Sequence, residues 1–229
     1  GEKLRTVYGK DIREVPTGES LEVSCIPGLE STDDAGVKLP DLIAAYGEAF
    51  AGEYAKKPFP LLLKLIDAAE PLSVQVHPGD AYAQKRHGKR GKTEAWVVLS
   101  CDPGAKIAYG LKSGATLADV ENGNMEEALN WVKVAPGDVY YVPHGMVHAL
   151  GAGVQAYEIQ QASDVTYRIW DWGRVGKDGK PRELHIQQSL DVVDYDMVAP
   201  ASGEVSAPEV DGVTELMECP NFVVDRVRV

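Results

Sequence analysis

The sequence is poor in cysteine and has no long apolar segment. Its three cysteines, Cys25, Cys101 and Cys219, are far apart and form no CxxC pair. This argues against a disulfide framework and fits a reduced, cytoplasmic setting. No apolar run reaches the ~20 residues that a membrane-spanning helix needs, because the run at 59–63 is broken by Lys64 and Asp67. The first residues do not resemble a signal peptide, so we expect no membrane partner.

Positive charge is also scarce. The chain has 23 Lys and Arg against 35 Asp and Glu, a net charge of −12, which argues against nucleic acids or anionic membranes as partners. One segment differs, because residues 85–92 carry five positive charges in eight residues. Such a run is usually a solvated loop, but it is also a candidate site for an anionic group of a small molecule.

Strand patterns dominate what is present. Apolar and polar residues alternate at 21–24 and 72–77, and short β-branched or aromatic runs follow at 95–99, 131–134, 139–142 and 154–159. Turn sequences rich in Gly, Pro and Asp separate these runs. Many short strands between such turns predict an antiparallel sandwich or barrel, and the 229 residues suffice for one large or two small domains.

Helical patterns lie outside this block, at 40–46 and 116–129, and indicate helical inserts. Both ends of the chain look cut. The first residues are no native start, and the run at 222–229 reads as a strand that stops without a turn. We therefore expect the chain to be part of a longer protein.

Polar side chains capable of binding a metal occur within these strand patterns. Gln75 and His77 are two residues apart in an alternating strand, so their side chains share one face, separated by ~6.6 Å. Glu94 enters the next strand and His148 follows a tight turn. Each residue alone is compatible with a hydrogen-bonded or solvated structural role. Together they are compatible with a zinc site, because buried polar groups are costly unless they are paired or metal-bound.

Several longer motifs resemble the type I mannose-6-phosphate isomerases, in the short bacterial form of this cupin-superfamily family. The resemblance covers roughly residues 17–191. Its motifs lie in the expected order and include LSVQVHP, GKTEAW, the segment YVPHGMVHAL and the segment EIQQASDVTYR, followed by DWGR and RELHI.

The resemblance implies a mainly β, cupin-type jelly-roll β-sandwich with a few helical inserts. Residues 1–175 would form the catalytic domain, and 176–229 a connecting segment and the start of a truncated C-terminal β domain. By motif position, one zinc ion per chain would be held by Gln75, His77, Glu94 and His148. His144 stands where such sequences commonly have a small residue. It is therefore an alternative ligand, although the motif context favours His148.

The resemblance also implies an intramolecular oxidoreductase that interconverts mannose 6-phosphate and fructose 6-phosphate through an enediol or enediolate. Arg168 matches the catalytic arginine of the family, and Ser73 and Lys92 match positions that line the substrate. Lys92 shares a strand face with Glu94 and could bind phosphate or carry a proton. The base that moves the carbon-bound proton stays open among Lys92, Glu158, Asp164 and a metal-bound water.

Two other functions are compatible with such a fold. An iron-dependent cupin oxygenase would favour a ligand set richer in histidine, and Gln75 argues against it. A sugar-binding or regulatory cupin without turnover is disfavoured by the presence of Lys92 and Arg168, although a fold alone never guarantees activity. No pattern in the sequence predicts a particular oligomeric state.

Overall fold

Alternating apolar strands build two five-stranded antiparallel sheets in this computed structural model, which describes residues 1–12, 17–121, 124–176, 179–197, 199 and 202–228. The first sheet has the order β1-β2-β9-β4-β7 and the second β10-β3-β8-β5-β6. Their bounds are β1 Glu19–Val23, β2 Leu61–Ala68, β3 Val74–Val76, β4 Glu94–Cys101, β5 Lys106–Leu111, β6 Leu129–Lys133, β7 Val139–Val142, β8 His148–Leu150, β9 Val154–Gln161 and β10 Tyr167–Trp170.

The main hydrophobic core lies between the two sheets. It combines Trp96 and Ala156 of the first sheet with Ile107, Tyr109 and Leu150 of the second. The central strand β9 is buried along almost its whole length, because β2 and β4 flank it and both of its faces are covered. These inner faces also carry the polar residues of the candidate site.

Short helices cover the outer side of the second sheet. Two of them are α5 Ala118–Glu121 and α6 Met125–Ala128. Leu117, directly before α5, and Met125 of α6 pack in one cluster with Val76, Ala149 and Ile169. Helix α7 Ile186–Val192 contributes partly buried residues to the same cluster. The predicted helix at 40–46 is confirmed as α2 Leu39–Tyr46, with a proline in its first turn and Gly47 at its end. The other helices before β2 are α1 Lys3–Thr6, α3 Glu48–Ala51 and a 3₁₀ turn at Gly52–Ala55.

The first residues of the basic run at 85–92 are helical, whereas the sequence predicted a loop. Helix α4 Asp80–His87 includes Lys85, Arg86 and His87 in its last turn and ends at Gly88, which has a left-handed backbone conformation. Cations at a helix C-terminus are favoured by the helix dipole, and glycine tolerates positive φ. The side chains of Lys85 and Arg86 are exposed, so solvation of this part of the run is confirmed although the backbone is helical.

A C-terminal hairpin packs on the outer face of the first sheet. Strands β11 Val213–Glu218 and β12 Val223–Val227 form a separate two-stranded sheet. Phe222, between them, clusters with Ala95 and Ile159 of the first sheet. The predicted strand at the end of the chain is therefore present up to Val227, and Val229 lies outside the described residues.

The mainly β, antiparallel fold class is confirmed, and every predicted strand from 21–24 to 154–159 overlaps a strand of the structure. The strand boundaries differ from the predicted ones by a few residues. In the predicted strand at 72–77, for example, only Val74–Val76 forms a strand in the sheet. Among the described residues, no helix is long and apolar enough to cross a membrane.

Candidate metal centre and active site

Strand pairing brings the candidate residues of the second sheet side by side. Gln75, in the middle of β3, lies opposite His148 of β8 and opposite Arg168 of β10. His77 follows β3 directly, before the turn at Pro78. The three-strand register β10-β3-β8 therefore aligns residues that are far apart in the sequence.

Glu94 approaches this group from the first sheet, as the first residue of β4. Its Oε1 lies 3.3 Å from Nε2 of His148, and its Oε2 lies 3.4 Å from Nε2 of His77. One donor atom from each of the three residues lies within 4.8 Å of the other two. Gln75 Nε2 is 3.4 Å from His148 Nε2, so all four predicted metal ligands converge. His77, Glu94 and His148 are buried.

The hydrogen bonds and burial of these side chains fit a bound cation. His148 Nδ1 lies 2.8 Å from the carbonyl oxygen of Met146. A carbonyl only accepts, so Nδ1 carries a proton, and Nε2 is the ring nitrogen that faces the cluster. Burial lowers the pKa of His77 to about 3 and keeps it neutral. Burial alone would raise the pKa of Glu94, but Lys92 and the two histidines hold it well below its usual range.

The cluster therefore brings the donor atoms of three buried side chains together. His148 Nε2 lies 3.3 Å and His77 Nε2 lies 3.4 Å from the carboxylate of Glu94, and a buried carboxylate is costly unless a positive charge lies close to it. Neither oxygen of Glu94 accepts a hydrogen bond of normal geometry from the described residues. Nitrogen and carboxylate oxygen donors in a buried cluster fit a divalent cation such as zinc.

Lys92 points into the same cluster. It is buried, and its Nζ is 2.7 Å from Glu94 Oε2 and 3.1 Å from His77 Nε2. A single lysine thus adds a positive charge to a group that otherwise contains one carboxylate and two imidazoles. Its position also gives the site a proton donor next to the candidate ion site.

Arg168 lies next to Gln75 and is half-buried. Its Nη1 donates a hydrogen bond of 2.9 Å to the carbonyl oxygen of Glu183. Its Nε is buried and, among the described residues, has no partner. Burial and the nearby Arg182 lower the pKa of Arg168, yet a guanidinium stays charged at physiological pH.

Known proteins match this chain over nearly its whole length. The family model for the catalytic domain of type I phosphomannose isomerase matches residues 26–95. The mannose-6-phosphate isomerase of Streptococcus mutans is 40% identical over 98% of the chain, which covers 73% of that protein. The chain belongs to the type I mannose-6-phosphate isomerases. It is therefore an enzyme of the isomerase class.

Solved structures agree. The crystal structure of mannose 6-phosphate isomerase from Bacillus subtilis superposes with a TM-score of 0.88 and 35% identity, over 98% of this chain and 74% of that one. The phosphomannose isomerase from Salmonella typhimurium, at 17% identity and a TM-score of 0.70, shares the fold. The cupin-type architecture expected from the sequence is thereby confirmed.

An ion pair beside the candidate metal site joins Glu158, one of the candidate bases, to Lys64, which the sequence did not single out. Lys64 of β2 lies 3.4 Å from Glu158 of β9, and Trp96 Nε1 donates a hydrogen bond of 3.0 Å to Glu158 Oε2. Burial lowers the pKa of Lys64, but Glu158, Glu19 and Glu94 outweigh this effect and raise it. The sequence signal that could have indicated this ion pair is a lysine in the middle of the mostly apolar strand Leu61–Ala68.

The remaining predicted residues occupy different environments. Ser73 is buried just before β3. His144 is exposed, with its Nδ1 at 3.5 Å from Thr93 Oγ1, and it is not part of the three-residue cluster of His77, Glu94 and His148. Asp164 is more than a third exposed and pairs with Lys89 at 2.7 Å.

Two cavities with shared lining residues lie on the side of Lys92. One, of about 200 Å³, is lined by Lys64, Lys92, Ser163 and Asp164, among other residues. Its neighbour, of about 450 Å³, shares Ser163 and Asp164 and is also lined by Lys89 and Arg90. The isomerase therefore has space for a small anionic molecule between the buried cluster and the basic run.

Proposed function

We propose that this isomerase interconverts mannose 6-phosphate and fructose 6-phosphate through an enediol or enediolate, with one zinc ion held by Gln75, His77, Glu94 and His148. The observation that carries the metal part is geometric: one donor atom each of the buried His77, Glu94 and His148 lies within 4.8 Å of the other two. Family membership supports the reaction, since the relatives are mannose-6-phosphate isomerases.

Zinc is favoured by the donor set. Two imidazoles and a carboxylate are typical zinc ligands, and a glutamine oxygen is a weak neutral donor that suits a non-redox ion. When bound, such an ion polarises a carbonyl or hydroxyl oxygen of the sugar as a Lewis acid.

Arg168 supplies a permanent positive charge beside the metal ligands in this proposal. Aldose–ketose isomerisation transfers a proton between C2 and C1 and develops negative charge on the sugar oxygens. A partly desolvated guanidinium stabilises that charge more strongly than it would in water. The half-buried position of Arg168 next to Gln75 supports this role.

Lys92 is the group that we assign to substrate binding and proton transfer. Its buried ammonium lies within 3.1 Å of both Glu94 and His77, and it lines the small cavity. A lysine there can donate to a sugar oxygen or exchange a proton at Nζ. Ser73, buried two residues before Gln75, is proposed to line the substrate. Glu158 is the alternative base, and Asp164 is disfavoured because Lys89 contacts both of its carboxylate oxygens.

The phosphate group of the substrate is proposed to bind at the second half of the basic run. Arg90 and Lys89 line the larger cavity, whereas Lys85 and Arg86 are exposed on α4. Within the part of the chain that the structure describes, Arg90 forms no ion pair, whereas Lys89 pairs with Asp164. Arg90 is thus the better candidate for an incoming phosphate.

Two broader assignments are also proposals. Residues 1–175 would form the catalytic domain, and 176–229 a connection to a C-terminal β domain. A cytoplasmic location is supported by the cysteines, since Cys25, Cys101 and Cys219 are all free thiols.

A coupled assay with mannose 6-phosphate, combined with metal analysis of the purified protein, tests the proposed function. We expect about one zinc per chain, loss of isomerisation after chelation, and recovery on adding zinc. Full activity of metal-free protein would contradict the metal's role. Bound iron with oxygen consumption would identify an oxygenase, and metal binding without isomerisation a sugar-binding cupin.

A further inference from the structure

Arg168 lies on an edge strand whose free side is covered by one residue. Strand β10 is the outermost strand of the second sheet and pairs with β3 on its inner side. On the outer side, the backbone N–H of Arg168 donates to Nδ1 of His185 at 3.1 Å. The N–H of His185 in turn donates to the carbonyl oxygen of Arg168 at 2.7 Å. His185 thus replaces a neighbouring strand by using its backbone and its ring together.

The same segment also holds the guanidinium. Arg168 Nη1 donates to the carbonyl oxygen of Glu183, two residues before His185. The backbone and the side-chain end of Arg168 are therefore both hydrogen-bonded to residues 183–185. A side chain held at both ends loses less conformational freedom when it meets its ligand.

His185 is itself anchored to α7. The backbone N–H and the hydroxyl of Ser189 both donate to the carbonyl oxygen of His185, at 2.9 and 2.8 Å, and Ser189 is fully buried. The imidazole lies 6.1 Å from the ring of Tyr167, which precedes Arg168 in β10. A rigid helix end thus supports the contact with Arg168.

We propose that His185 is a positioning residue for the reaction, whose neutral imidazole, together with the Glu183 carbonyl, directs the Arg168 guanidinium towards the substrate. This inference rests on the proposed role of Arg168. Catalytic groups must be held within about 0.5 Å of their productive geometry, and small displacements cost large factors in rate.

The contact requires an uncharged imidazole. Nδ1 of His185 accepts a hydrogen bond, so its ring proton must be on Nε2, and protonation of Nδ1 would place two N–H groups face to face. Burial lowers the pKa of His185, the Glu183 carboxylate raises it, and Arg168 lowers it again, so that the net shift is downward. Among the described residues, the phenol ring of Tyr167 also lies next to this imidazole.

The test compares three variants by steady-state kinetics with mannose 6-phosphate. His185→Ala removes the acceptor, and we expect kcat to fall about 10- to 100-fold with little change in KM and full metal content. His185→Asn keeps an acceptor oxygen at a reach similar to Nδ1 and should recover most of that loss. Leu184→Ala, which changes an exposed neighbour, is the matched control and should leave kcat unchanged.

A double-mutant cycle separates positioning from simple structural support. In an Arg168→Ala background, His185→Ala should have little further effect on kcat, because the group it positions is gone. Equal losses in both backgrounds would overturn the inference. Substantial activity of Arg168→Ala itself would instead refute the proposed role of Arg168, whereas an inactive Arg168→Ala with an unimpaired His185→Ala would refute only the positioning role.

The pH profile keeps the test decisive even if His185→Ala does not fold. Protonation of His185 should contribute to the fall of kcat on the acid side in the wild type. Asparagine does not titrate, so in His185→Asn this fall should move to lower pH. An unchanged acid limb would overturn the inference.

Discussion

At the scale of single residues, Glu94 determines the charge state of the site. It is fully buried and ionised, and its three nearest polar neighbours are His77, His148 and Lys92. A buried carboxylate is costly unless it is paired. Because burial keeps His77 neutral, Lys92 and, in the proposed site, a bound cation would compensate the charge of Glu94. The charge of Glu94 therefore depends on the side chains around it, so a substitution at any of these residues changes the charge balance of the whole cluster.

Arg168→Ala is the residue-scale prediction. Loss of a fixed cationic donor should lower kcat by about 10²–10³, while the metal content stays at the wild-type level because Arg168 is not among the proposed ligands. Kinetics with metal analysis check this. Arg226→Ala, on the exposed part of β12, is the control and should keep full kcat. Metal loss in Arg168→Ala would show that the role of Arg168 is misassigned.

At the scale of elements, the end of β10 is tied to the following loop by Asp171. This buried carboxylate accepts hydrogen bonds from Arg182 Nε at 2.7 Å and from Arg174 Nη2 at 2.6 Å. Burial alone would raise the pKa of Asp171, but the two arginines outweigh it and lower the pKa. One residue thus connects β10 to the segment that carries Glu183 and His185.

Asp171→Asn should weaken this connection in a pH-dependent way. Charge-assisted hydrogen bonds of a buried carboxylate contribute roughly 1–3 kcal/mol to the free energy of unfolding. Because the folded-state pKa lies below the unfolded one, this contribution is fully present above about pH 4 and is lost as the pH falls through the folded value. Urea unfolding of both proteins from pH 7 to 3.5 should show a constant difference that narrows only at the acid end. A difference independent of pH throughout would contradict it.

At the scale of the whole molecule, the candidate metal site joins the two sheets. Gln75, His77 and His148 belong to the second sheet or its border, and Glu94 to the first. A cation bound there would link the two halves of the sandwich across their shared interior. Binding to the folded state alone stabilises that state by mass action.

Metal removal should therefore lower the melting temperature. At a free metal concentration 1,000 times Kd, binding adds about 4 kcal/mol, which corresponds to roughly 8–16 °C for a chain of this size. Differential scanning calorimetry with and without chelator measures the shift. His144→Ala should keep the shift and the metal, whereas His148→Ala should lose both. The reverse pattern would identify His144 as the ligand.

The sequence by itself determined the β-rich class, the strands and the four converging residues. Period-two alternation and Gly–Pro turns are local signals, and Gln75 and His77 share a face by strand geometry alone. The family motifs added Glu94, His148 and Arg168, which alternation cannot connect. Helix α4 was not predicted, because its charged segment has no apolar periodicity. Its limits are set by the glycines at its two ends, Gly79 and Gly88.

Only the tertiary structure decided which residues complete the site. It placed His148 rather than His144 beside Glu94, revealed the ion pair of Lys64 and Glu158, and brought His185 to the open edge of β10. These contacts join strands that are distant in sequence, and they depend on the register of the two sheets. No local pattern encodes that register, because it results from packing both inner faces into one core.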